Sequence, residues 1–271
     1  MSVEEKSLIM SANNVTVAEN EQKVYDAGYD KGYDKGYDEG LGQGDMNGYQ
    51  EGYNEGYVIG KEDGKQAEYD AFWNIYQQQG AYIPHEYHFA GKGWNDTNFK
   101  PKYDINVTNA DHIFYGTRIV NLAEILEERG LKIDTSPATN FNYAFGGMYT
   151  AHFPEVDLSQ GTATPGLFSY NNYLHTIDKI IVSENTTFTV NWFAYSSKLE
   201  NVIFEGVIAK NNLKLAECPL LTKESIMSAV NCLKDYSNSG DSYLLWLGND
   251  NLAKLTDTEK AIATQKGWTI A

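Results

Sequence analysis

The chain has 271 residues and a mass of 30.4 kDa, enough for one large domain or two modest ones, and its 42% hydrophobic content supplies a core. Its 37 acidic residues against 21 basic give a formal charge of −16, which repels free polyanions and argues against nucleic-acid binding. No run approaches the ~18 apolar residues of a membrane span, so membrane insertion is not expected, and two cysteines, Cys218 and Cys232, are too few for a disulfide scaffold.

The first 24 residues form an N-terminal segment, and their opening, MSVEEKSLIM, lacks the basic and then apolar order of a signal peptide. The expectation is synthesis in the cytoplasm without such a peptide. From residue 25 to 80 the chain is written in a unit of four, Gly-Tyr-polar-polar. Ten glycines run at a strict interval of four from Gly28 to Gly64, with tyrosines beside most of them. Collagen needs an interval of three and a strand alternates by two, so the spacing predicts a helix, with a flexible Gly/Tyr-rich linker as the competing reading.

Four residues overshoot one helical turn, and the glycine stripe therefore winds right-handedly around the axis. Ten interior glycines cost on the order of 10 kcal/mol relative to alanine, more than a solitary helix can offset. A second copy or a fold-back is required. The positions expected to meet it are Gly28, Tyr29, Gly32, Tyr33, Gly36 and Tyr37, then Gly48, Tyr49, Gly52, Tyr53, Gly56 and Tyr57. The tyrosine pattern lapses at Leu41, Gly42 and Asp45, which leaves a straight rod and a hairpin both open. Tyr69, Phe72, Trp73 and Tyr76 then follow at helical spacing, with Gly80 as a stop.

Residues 81 to 104 read as a connector that holds two chemical look-alikes. His85-Glu86-Tyr87-His88 lacks the four-residue histidine spacing of a zinc protease, since position 89 is Phe. Gly91-Lys92-Gly93 lacks the Ser or Thr that follows the Lys of a phosphate loop. The five histidines show no other metal spacing and no nucleophile elbow occurs, so no catalytic residue, metal or cofactor is expected.

From about residue 105 to 235 short apolar runs alternate with Asn, Gly and Ser. A helix is predicted over Asn121 to Arg129, with Asn121 and Glu124 at capping-box spacing and Gly130 as its stop, followed by a strand at Leu131 and Ile133. Phe141-Asn142-Tyr143, Phe168-Ser169-Tyr170 and Phe193-Ala194-Tyr195 recur at intervals of 27 and 25 residues, the last two followed in register by Leu174-x-x-Ile177 and Leu199-x-x-Val202-x-Phe204. Such a period predicts one solenoid coil per repeat, with the Phe, Leu, Ile and Val positions in the core.

The stretches 192–206 and 167–182 resemble the BspA-like leucine-rich-repeat family, with Ser196 and Asn171 where that family usually carries a Cys or Asn. The resemblance covers about residues 105 to 235 and implies a short leucine-rich-repeat solenoid there; with the Gly-x-x-x helical segment before it and a C-terminal cap after it, the expected fold class is α+β. The cap spans residues 236 to 271. Before it, Thr222 is placed to cap a helix over Ile226, Ala229, Val230 and Leu233. Within it, Tyr243 to Leu247 reads as a strand, Thr256 and Glu259 as a capping box, and Trp268 to Ile270 as a final strand, together a βαβ-like closing unit.

Similar family members look like adhesins of gut Gram-positive bacteria and tail-associated proteins of their phages. The missing export signal favours the phage version. The expectation is a non-enzymatic, virion-associated attachment protein, homo-oligomeric or docked on another virion protein through residues 25 to 80. Its solenoid would meet a host-surface glycan or protein, and the outward strand positions His175, Asp178, Asn201 and Ile203 are the expected contacts. The competing readings are an intracellular scaffold and a bacterial surface adhesin.

Overall fold

The computed structural model describes residues 88–90, 93–189 and 191–271. The glycine ladder with its expected oligomerisation positions, the aromatic stripe at 69–76, His85 and Lys92 lie outside the described residues.

Helices and strands are mixed in an α+β arrangement, and among the described residues each strand pairing is parallel. β1 (Ile105–Asn106) pairs with β2 (Ile133–Asp134), and between them lies α1 (Leu122–Glu128). β3 (His152–Phe153) and β4 (Val156–Asp157) follow one another along one edge of β5 (Thr176–Val182), whose other edge takes β6 (Asn201–Gly206). Phe153, Ile177 and Val202 stand in one register row, and Val156, Ile180 and Phe204 in another, all buried. Apolar residues thus line one face of the sheet and keep the register from slipping.

A second run of parallel backbone hydrogen bonds links the Phe-bearing turns. The Phe114 amide donates to the Ala144 carbonyl at 2.9 Å, Phe145 to Leu167 at 3.0 Å and Phe168 to Trp192 at 2.8 Å. It aligns a column of buried rings, Phe89, Phe114, Phe145, Phe168 and Phe193, with successive centroids 4.6, 6.3, 5.3 and 5.9 Å apart. Phe153 crosses from the sheet to touch Phe145 and Phe168.

The column corrects the expected register, because Phe145 rather than Phe141 is in line with Phe168 and Phe193. Phe141 is also buried, but its amide donates to Ala163, four residues before the carbonyl that Phe145 meets. What recurs is a Phe followed two residues later by left-handed backbone, at Gly116 (φ 68°), Gly147 (φ 64°), Tyr170 (φ 63°) and Tyr195 (φ 61°) along the column, and at Tyr143 (φ 47°) after Phe141 beside it. All three Phe-x-Tyr triplets share that geometry, and in the column Gly takes the place of Tyr after Phe114 and Phe145.

Buried polar side chains at Asn171 and Ser196 tie the Phe-bearing turns to one another. The Asn171 amide donates to the Phe145 carbonyl at 2.7 Å while its oxygen accepts the Met148 N–H at 2.7 Å. The Ser196 hydroxyl donates to the Phe168 carbonyl at 2.7 Å. Each removes backbone groups from the unsatisfied class that burial penalises.

α1 lacks the predicted Asn121 side-chain cap. Asp96, 25 residues upstream, instead fixes the backbone that leads into the helix, accepting the Val120 and Asn121 amides at 2.7 and 3.1 Å and the Asn121 side-chain amide at 2.7 Å. α2 (Lys223–Cys232) begins at Thr222, whose side chain accepts the Ser225 amide as expected, and it buries Ile226, Ala229 and Val230.

α2 runs along the open edge of β6 and bonds to it. The Ser225 hydroxyl accepts the Val202 amide and the Ser228 hydroxyl the Phe204 amide, both at 3.0 Å, and Cys232 Sγ donates to the Phe204 carbonyl at 3.3 Å. Residues three and seven apart share a helix face, so one helix supplies the polar row that a further strand would have supplied.

β7 (Leu213–Lys214), β8 (Leu244–Trp246) and β9 (Thr269–Ile270) form the last sheet. The short α3 (Gly248–Leu252) and α4 (Asp257–Gln265) cross from β8 to β9. The Thr256–Glu259 capping box has both its bonds, and Gly267 at φ 82° ends α4. α3 was not expected; it starts where Gly248 turns left-handed at φ 72°.

Candidate binding surface

The four expected contact residues are not buried, and most of them are engaged with neighbouring side chains. His175 Nδ1 sits 3.2 Å from Glu200 Oε1, and the Asn201 side-chain oxygen accepts from the Thr222 hydroxyl at 3.4 Å. Ile203 is half-buried, two residues after Asn201 on β6. Asp178 meets His152 Nε2 at 2.6 Å, and His152 Nδ1 meets Glu124 Oε1 at 3.2 Å. Carboxylates only accept, so both ring nitrogens must donate and the arrangement is that of an imidazolium. Partial burial pulls the His152 pKa down, but the hydrogen bond and charge of Asp178, then those of Glu124, outweigh it and hold the value above the ordinary 6.5.

The strand explains this crowding. β5 carries a register irregularity between Ile177 and Ile180, which turns Asp178 and Lys179 away from the core in succession. Lys179 reaches Glu155 at 3.4 Å and Glu205 at 3.0 Å, spanning three strands. The sheet face is thus laced by cross-strand ion pairs, which are individually weak when exposed.

The turns after the Phe column carry a different chemistry. Tyr149 stacks on Tyr173 with centroids 5.1 Å apart and planes 19° apart, and Tyr170 stacks on Tyr195 at 4.9 Å and 16°. These rings are 41%, 49%, 48% and 61% exposed, in the order named. Lys198 Nζ lies 5.6 Å from the Tyr173 centroid. Tyr170 and Tyr195 hold the left-handed backbone that Gly116 and Gly147 hold in the preceding repeats. Outside glycine such backbone costs of order 1 kcal/mol or more.

The sequence pattern pointed to the sheet face and passed over these tyrosines. Their triplets were legible, but the Tyr was absorbed into the repeat signature with no role of its own. The signal was a Tyr two positions after the buried Phe141, Phe168 and Phe193, where Phe114 and Phe145 have Gly.

Neither cysteine is poised for chemistry. Burial, with a smaller contribution from the Glu217 charge, pushes the Cys218 thiol up to about 12, and burial also raises Cys232. Among the described residues no group of three or more His, Cys, Asp or Glu is placed to hold a metal ion, and no helix is long and apolar enough to cross a membrane. No protein-family model, curated protein or solved structure matches the chain.

Proposed function

We propose that the chain is a non-enzymatic attachment protein, of the tail-associated virion kind, which recognises a host surface through its repeat module. In this reading the two parallel ladders are the coils of a short BspA-like leucine-rich-repeat solenoid. Residues 25 to 80 gather copies or dock the chain on a virion partner. The observation that carries the reading is the pair of exposed tyrosines in left-handed backbone, Tyr170 and Tyr195. Glycine fills that position without strain in two earlier repeats, so large rings held there at a conformational cost serve something other than the fold.

Presentation of several copies would compensate for a weak single site, since linked sites raise the effective concentration for each next contact. The test is to label the full chain and measure its retention on intact cells of a panel of gut Gram-positive bacteria, with blocking of phage adsorption on any strain that retains it. Saturable retention and blocking on at least one strain are expected. Retention on none of the panel overturns the reading.

A further inference from the structure

We propose that the tyrosine-bearing turns bind a neutral glycan chain lying along the direction in which the repeats stack. The proposal rests on the attachment reading and names the ligand class of its surface.

The first observation is which part of each ring remains available. Tyr170 and Tyr195 cover one face of each other, while Tyr173 has Tyr149 stacked on it and the Lys198 ammonium over its ring. An aromatic ring is electronegative on its face and electropositive at its edge. Cations seek faces, and Tyr173 already holds one in Lys198, while Tyr170 and Tyr195 each keep one outer face. The pairs thus offer solvent outer faces, on which the C–H groups of a sugar stack, and edges and phenol hydroxyls that suit its ether and hydroxyl oxygens.

The second observation is charge. Residues 146–150, 170–173 and 195–198 hold one charged side chain between them, Lys198, in a protein of formal charge −16. A basic polymer meets no carboxylate in these turns, and an acidic polymer is repelled by the molecule as a whole. A neutral ligand fits both facts.

The third is spacing. Stacked rings 4.9 and 5.1 Å apart repeat at about the separation of paired strands, ~4.8 Å. One pyranose of an extended glycan advances by a similar length, so successive sugars would meet successive turns in register. Short polar side chains at Asn172 and Ser197, both exposed, supply further hydrogen bonds beside the rings.

The test is native affinity electrophoresis of the full chain through gels containing a neutral β-glucan, a galactomannan, glycol chitin, polygalacturonate or poly-lysine. It is paired with the double variant Tyr170→Gly, Tyr195→Gly. Glycine suits the left-handed backbone, so the thermal midpoint should hold or rise while both rings are removed. Retardation by at least one neutral polymer is expected, with affinity at least tenfold weaker in the double variant. Retardation by no neutral polymer, retardation only by a charged one, or undiminished retardation of the variant each overturns the inference. If wild type and variant bind cells equally well, the inference falls and the attachment reading stands. If neutral polymer retards the chain through these tyrosines but no cell type retains it, the attachment reading falls and the glycan site stands.

Discussion

Gly206 ends β6 at φ 100°, and a Cβ placed there would overlap the Val182 carbonyl oxygen of β5. Both the dihedral and the close approach exclude other residues. Gly206→Ala should destabilise the protein by on the order of 3 kcal/mol, read as a lower urea midpoint with an unchanged slope. A shift under ~1 kcal/mol would mean that the strand end relaxes freely. At this scale the sequence showed which side chains are apolar and therefore buried, and Phe168, Phe193, Leu174 and Leu199 all are. It did not show backbone handedness. A glycine advertises a left-handed turn, whereas Tyr170 and Tyr195 adopt one without any mark in their type.

Between elements, the contact of α2 with β6 is where hidden polarity matters most. Replacing Ser225 and Ser228 together by Ala leaves the Val202 and Phe204 amides with no acceptor, at about 1–3 kcal/mol for each amide left unmade. The double variant should lower the thermal midpoint by several degrees and speed hydrogen exchange at those two amides ahead of the rest of β6. Equal exchange at all β6 amides would show that water replaces the hydroxyls. Thr222 and the apolar stripe of α2 were legible from spacing; the inward role of the serines was not, because polar residues at helical intervals read as a solvated face. Asp96 was illegible for the opposite reason, since a carboxylate that holds a helix entry across 25 residues leaves no local pattern.

His152 links α1, β3 and β5 through Glu124 and Asp178. Its pKa is raised in the folded state, so its contribution is fully present below the unfolded value near 6.5 and is lost as pH rises through the higher folded value. Solvent screening holds that contribution under about 1 kcal/mol. His152→Gln should flatten the stability profile across this window and leave values well above it nearly unchanged. A wild-type profile already flat from pH 6 to 8 would deny the link.

For the whole molecule, the prediction concerns the full chain against a chain beginning at Ala81. The glycine ladder predicts that the full chain alone sediments as a dimer or trimer and carries additional helix by circular dichroism. Equal monomeric masses would remove self-assembly from its roles. The period of the Phe-bearing segments was legible because each buries its Phe and the apolar strand that follows. Their register was not, because Phe141-Asn142-Tyr143-Ala144-Phe145 offers two candidate rings and only long-range backbone pairing selects the second. The mixed helix and strand content, the capped α4 and the parallel closing strands followed from local signals, while α3 depended on a turn at Gly248 that spacing alone did not announce.

A row of parallel strands grows by offering its last edge to the next arrival, whether that is another coil or another molecule. Here α2 occupies that edge of β6 with hydroxyls and a thiol. The helix works as a terminator: it ends this sheet at β6 and denies that edge to any further strand.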